Sequence, residues 1–220
     1  MKILGVTGTS GSGKSTFSKI LDEREDIKVV DADKVARELS VPGTQYLKDI
    51  VSAFGENILL EDGNLNRRAL AHIIYNDENE RKRLNSITFP HISKEIYGRI
   101  KAFADPKIKY AVIDAPLLFE AGLDKVCDTV ISLVATEDVQ IKRICNRDRL
   151  DIETAKARLS SQKPVSFYVQ NSDIVIMNNE DTDLRKEAEK LLNELEKTSN
   201  NKALEAHQIR KDKTDEGRWF

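Results

Sequence analysis

The run Gly8-Thr9-Ser10-Gly11-Ser12-Gly13-Lys14-Ser15 fits G-x-x-x-x-G-K-[ST] in full, and it directly follows a short β-branched run, Ile3 to Thr7. Glycines at 8, 11 and 13 let the backbone fold back with its N–H groups turned inward, and the resulting nest meets a helix N-terminus opening near Lys14. Such a nest binds phosphate oxygens. It needs a strand before it and a helix after it, which an incidental lysine in a glycine-rich turn would not supply. The expected nucleotide contacts are therefore Gly11, Ser12, Gly13, Lys14, Ser15 and Thr16. Lys14 reaches the β- and γ-phosphates, Ser15 offers its hydroxyl to magnesium, and Thr16 is placed for the α-phosphate.

The rest of the chain supplies a sheet to carry that loop. Further β-branched runs occur at Ile27 to Val30, Tyr110 to Ile113, Thr129 to Val134 and Asp173 to Met177, with helical patterns between them. Continuous apolar runs suit strands buried on both faces of a parallel sheet, and alternation with helices gives an α/β fold. Residues 34–109 carry amphipathic helical patterns punctuated by Val41-Pro42-Gly43, Gly55, Asp62-Gly63 and Phe89-Pro90, which reads as a helical subdomain inserted beside a five-stranded sheet. Residues 137–161 read as two helices joined near Arg149-Leu150-Asp151, with Thr136 and Asp151 as N-caps. Residues 181–197 read as a charged, leucine-periodic surface helix, and the polar stretch from 199 to 220 as a tail.

Three further groups carry chemistry. Ala111-Val112-Ile113-Asp114 is an apolar run closing on an acid, so Asp114 is the candidate magnesium carboxylate at a strand end; an Asp opening the turn before Pro116 is the plainer use. Asp31-Ala32-Asp33 follows the second strand, at the sheet edge where open α/β folds bind ligands. One of the pair can take a hydroxyl proton, or either can simply cap the helix beginning near Lys34. Arg143, Arg147, Arg149 and Arg158 are the guanidinium groups a lid could bring to a moving phosphoryl group, with a solvated basic face as the alternative for any one of them.

Composition removes several function classes. Thirty-five Lys and Arg against thirty-seven Asp and Glu leave a net charge of -2, so no global basic field recruits nucleic acid or anionic lipid. No stretch approaches the about 18 apolar residues of a membrane span, and the N-terminus lacks a signal-peptide pattern, so the expected location is cytoplasmic. Cys127 and Cys145 have neither C-x-x-C spacing nor paired histidines, which argues against a zinc site. A nucleotide-dependent switch would carry an N-K-x-D run and a D-x-x-G after its second carboxylate strand; this chain has no N-K-x-D, and Asp114-Ala115-Pro116-Leu117 lacks the glycine.

With those residues in place, the chain from Met1 to about Glu196 resembles the dephospho-coenzyme A kinases. The resemblance rests on the phosphate loop, Val30-Asp31-Ala32-Asp33 with Ala36-Arg37, Pro42-Gly43-Thr44, Phe54-Gly55 and Gly63-Asn64-Leu65-Asn66-Arg67. It rests also on Asp114-Ala115-Pro116-Leu117-Leu118-Phe119-Glu120 with Gly122, and on Arg147-Asp148, Arg158, Gln162 and Asn178. It implies a P-loop fold with a coenzyme-binding insertion at about 34–109 and a lid at about 143–162. It also implies transfer of the ATP γ-phosphoryl group to the ribose 3′-hydroxyl of dephospho-coenzyme A, with ATP and Mg2+ as cofactors. Separately, the expected working form is a monomer or weak homo-oligomer. Asp33 would be the acceptor-side base, Arg67 a substrate contact, Arg147 a lid contact to phosphate, and Asn178 a neighbour of the adenine. The chain departs from the family pattern at Phe89, where a His precedes Pro, and after Gln162, where Lys163-Pro164-Val165-Ser166-Phe167-Tyr168 replaces a lysine-bearing helix.

Overall fold

The computed structural model describes residues 1–75, 77–103 and 105–198. Five strands form one parallel sheet: β1 (Lys2–Gly8), β2 (Ile27–Asp31), β3 (Tyr110–Asp114), β4 (Thr129–Val134) and β5 (Ile174–Met177), in the order β2-β3-β1-β4-β5. Because β1 lies centrally, the loop after it leaves the middle of the sheet's carboxyl edge. The register aligns Val6 with Asp114, and Asp114 with Asp31, so two strand-end carboxylates lie beside that loop.

Helices cover both faces, as the continuous apolar strands require. On one face α1 (Lys14–Asp22) and a helix over 184–198 pack Phe17, Leu21, Leu191 and Leu192 against Leu4, Val6 and Ile131. The last helix is therefore half core: its leucine period buries one stripe and leaves the charges outside. On the other face Val35 of α2 (Ala32–Leu39) and Ile96 and Ile100 of α5 (Glu78–Ala102) meet Ile113, Leu118 and Leu123. Each fully buried side chain of this size contributes roughly 1.5–3 kcal/mol.

Between β2 and β3 the described residues form α2, α3 (Gln45–Phe54), α4 (Arg67–Tyr75) and α5, with one short antiparallel bridge between Leu59 and Leu65 and no strand. Tyr46, Leu47, Ile50, Ile58, Leu65 and Leu70 close a separate small core there. α5 joins the two cores, since its C-terminal half packs on the sheet while Leu84, Ile87 and Ile92 lean on the small one. Phe89-Pro90 does not punctuate this region as the sequence suggests. α5 runs through Pro90 unbroken. Proline removes one helical donor and bends rather than ends a helix whose two halves are each anchored by packing.

Past β4, α6 (Glu137–Asp148) and α7 (Ile152–Ser160) are joined at Arg149, which ends α6 at φ 55°. Asp151 caps α7 through the Thr154 N–H, whereas Thr136 precedes α6 without a side-chain cap. α8 (Val165–Asn171) has no counterpart in the sequence reading, being too short and aromatic for a helical period to show. The expected tail at 199–220 lies outside the described residues. Among the described residues no helix is long and apolar enough to cross a membrane.

Candidate active site

The loop between β1 and α1 owes its shape to its glycines and to what presses on them. Gly13, at φ 92°, is the N-cap of α1, and a Cβ there would stand 2.0 Å from the Asn178 amide nitrogen. A Cβ on Gly8 would stand 2.2 Å from the Leu133 carbonyl oxygen of the neighbouring strand. Only glycine fits either position.

Distant residues brace the loop on three sides. From α6, buried Gln140 accepts from the Thr9 hydroxyl (3.1 Å) and donates to the Ala135 carbonyl (2.5 Å). Arg143 donates to the carbonyls of Gly11 (3.1 Å) and Asn178 (2.9 Å). From the end of β5, Asn178 donates its amide to the Ser12 carbonyl at 2.7 Å. From the α7–α8 connection, Gln162 accepts from the Ser10 N–H (2.9 Å) and donates to the Ser10 hydroxyl (2.8 Å).

Above the loop opens a cleft of about 1260 Å³, lined by the phosphate loop, Asp33, the start of α5, Pro116-Leu117, and the α6–α8 segment. Lys14 enters it from α1 and forms an ion pair with Asp114, in which both side chains are nearly buried. Ser15 and Thr16 are exposed to the cleft. Asp31 and Asp33 divide the two uses the sequence left open. Asp31 caps α2, accepting from the Lys34 N–H at 3.0 Å, which frees Asp33 on the first turn to face the cleft. Asp33 keeps solvent contact at the cleft mouth, but partial desolvation by the surrounding atoms raises its pKa above the ordinary carboxylate value, opposed by the charge of Lys14. A carboxylate so placed is a better proton acceptor than one in water.

Arg147 and Arg158 line the same cleft, and both are held by Asp148, at 2.8 and 2.6 Å. Tyr168, edge-on to Phe167 and tilted against Phe119, floors the lid side; burial pushes its phenol up to about 12, so it stays neutral. Phe167 also carries Lys163 over its ring at 4.8 Å, so the stretch that departs from the family pattern still brings a cation to the cleft.

Several expected contacts have other work. Asn178 is buried against the loop's underside, bracing Ser12 and Gly13 instead of lining the cleft. Ser12 is fully buried, and its N–H bonds back to the Thr9 carbonyl at 3.2 Å. Arg143 donates to the carbonyls of Gly11, Asn178 and Asn179 rather than waiting on a lid, and Arg149 is a helix terminus outside the cleft. Arg67 donates to the Ser40 hydroxyl at 3.0 Å and is not among the cleft-lining residues. His91, two positions after the family histidine, is held by Asp49 at 2.8 Å. Sequence reasoning missed Arg81, Lys82 and Asn85 of α5, which line the same cleft as the loop. Their i, i+3/i+4 spacing was the available signal.

No group of three or more His, Cys, Asp or Glu side chains that could hold a metal occurs among the described residues. The donors at the loop are one hydroxyl, Ser15, and one carboxylate, Asp114. That set is too small for an all-protein cage but fits magnesium, which takes one or two protein oxygens and completes its shell with phosphate and water.

A phosphate nest on the central strand, with an ammonium and a strand-end carboxylate beside it and a second carboxylate across an open cleft, defines a P-loop phosphotransferase. The chain belongs to the dephospho-CoA kinase family, whose model (CoaE) matches residues 2–183. A dephospho-CoA kinase of Listeria innocua is 38% identical over 201 residues, covering 91% of this chain and 99% of its own. One from Geobacter sulfurreducens is 42% identical over 179 residues, covering 81% and 90%. The solved dephospho-CoA kinase of Campylobacter jejuni superposes with a TM-score of 0.64 at 30% identity, covering 90% of this chain and 98% of that one. A shikimate kinase from Acinetobacter baumannii, at 15% identity and a TM-score of 0.50, shares the fold alone.

Proposed function

We propose that the protein transfers the γ-phosphoryl group of magnesium-ATP to the ribose 3′-hydroxyl of dephospho-coenzyme A, in the cytoplasm. The observation that carries this reading is the meeting on one cleft of Asp33 with Lys14, whose ammonium is paired to the buried Asp114 beneath it, in a chain of this family. The loop N–H groups and the α1 N-terminus hold the β- and γ-phosphates, and Lys14 offsets the charge that builds on them. The acceptor oxygen forms its bond to the γ-phosphorus as the bond to the β–γ bridging oxygen breaks, and Asp33 takes the hydroxyl proton. Arg147 and Arg158 exchange Asp148 for the moving phosphoryl oxygens. Ser15 and Asp114 would hold magnesium, which would supply further neutralisation of phosphate charge.

ADP release coupled to a redox readout, with magnesium-ATP and a panel of alcohol acceptors, tests the reading. Dephospho-coenzyme A should stimulate release far above nucleosides and shikimate, with coenzyme A as the product by mass. Stimulation by another acceptor would reassign the substrate, and slow release indifferent to every acceptor would point to a nucleotide switch.

A further inference from the structure

The first turns of α5 form a wall of the cleft whose individual side chains have been given no role so far. Glu78, Arg81, Lys82 and Asn85 line it, and their spacing of three, four and seven places them on one helix face. Lys82 is paired with Glu78 at 3.0 Å, which offsets the one acidic charge of the stripe. Arg81 forms no ion pair among the described residues, although its charge is felt by Glu78. Every other cleft arginine is engaged: Arg143 by main-chain carbonyls, Arg147 and Arg158 by Asp148. The cleft exceeds the roughly 300–1000 Å³ that encloses one drug-sized ligand, which leaves room for an acceptor beside the nucleotide.

Resting on the kinase reading above, we propose that this face of α5, with Arg81 at its centre, binds the phosphoanhydride of the acceptor. If Asp33 meets the ribose 3′-hydroxyl, the diphosphate on the 5′ side of the same ribose must lie against a wall near Asp33 and away from the phosphate loop. α5 supplies that wall. Its unpaired guanidinium suits bidentate contact to diphosphate oxygens, and Lys82 adds a second charge once Glu78 releases it. α5, whose residues pack into both cores, would hold that charge in place at the cleft wall.

Steady-state kinetics of Arg81→Gln and Arg81→Lys test the assignment, with ADP-ribose as a probe that shares the adenosine diphosphate and lacks the pantetheine arm. Losing a charge-assisted pair should raise the KM for dephospho-coenzyme A by about ten- to a hundredfold. The KM for ATP and kcat should stay within about twofold under the same reasoning, and Arg81→Lys should recover part of the loss. ADP-ribose should compete with dephospho-coenzyme A at saturating ATP, and its inhibition constant should rise in Arg81→Gln by the same factor as the KM. An unchanged acceptor KM in Arg81→Gln, a rise confined to ATP, or failure of ADP-ribose to compete against the wild type would each overturn the assignment. Lack of wild-type turnover with dephospho-coenzyme A would instead sink the kinase reading on which it rests.

Discussion

Gly13 and Asn178 are 165 residues apart in the chain, yet the phosphate loop depends on their contact. Gly13→Ala forces an alanine into φ 92°, ψ 11°, which costs about 1–2 kcal/mol from left-handed backbone alone. Its Cβ would also stand 2.0 Å from the Asn178 amide nitrogen, so that side chain must move and abandon the Ser12 carbonyl, 2.7 Å away. A buried acceptor left without its donor costs a further about 1–3 kcal/mol. Together these give about 2–5 kcal/mol for Gly13→Ala. Asn178→Ala, which removes the donor without straining the loop, should cost about 1–3 kcal/mol. In the double variant the alanine methyl has nothing to displace and the hydrogen bond can be lost only once. Its cost should therefore fall short of the sum of the singles by about 1 kcal/mol or more. Urea unfolding of the four proteins, with unchanged slopes, reads this coupling. Additive costs would show that the amide and the Gly13 backbone are not in contact, and the bracing account would fail.

Two further variants test the chemistry. Lys14→Ala should lower turnover by at least about a hundredfold, because it removes charge compensation from the transition state. It should also destabilise the fold by up to about 3 kcal/mol, since Asp114 is left nearly buried without its partner; a melting temperature equal to wild type would show that the pair adds nothing. Asp33→Asn should lower kcat by about 10²–10⁴-fold while leaving the KM for ATP nearly unchanged. In the wild type, kcat/KM for the acceptor should fall with acid on a limb lying above the unperturbed Asp value of about 3.9, because partial desolvation raises the Asp33 pKa. The stability sign is opposite to that of an ion-paired carboxylate. A raised folded pKa favours the fold below the unfolded value, and that contribution is lost as pH rises through the folded one. Asp33→Asn should therefore be no less stable than wild type at neutral pH, and a large loss of stability there would contradict the assignment.

What the sequence reveals follows how local each feature is. The phosphate loop, the five strands and the strand-end acids are written in short segments with their own periodicity or spacing, and the strand boundaries differ from expectation by a residue or so. Asp31 and Asp33 are ambiguous in sequence because capping and catalysis use the same side chain; the observed start of α2 at Ala32 separates them. The braces have no local signature. Gln140, Asn178 and Gln162 meet the loop across 131, 166 and 152 residues, so only the folded chain shows that Asn178 supports the loop from beneath. Arg143 and Arg147 share a helix face, but the carbonyls that claim Arg143 come from two other segments. Pro90 misleads for a related reason, since local propensity yields where packing holds both halves of a helix.

The central claim is that this cleft delivers a phosphoryl group to one hydroxyl, and the position of the new phosphate tests it most directly. Phosphorus and proton NMR of the product made from dephospho-coenzyme A and magnesium-ATP should show the added phosphate on the ribose 3′-oxygen. Phosphate on another hydroxyl, or free inorganic phosphate with the acceptor unchanged, would contradict the account.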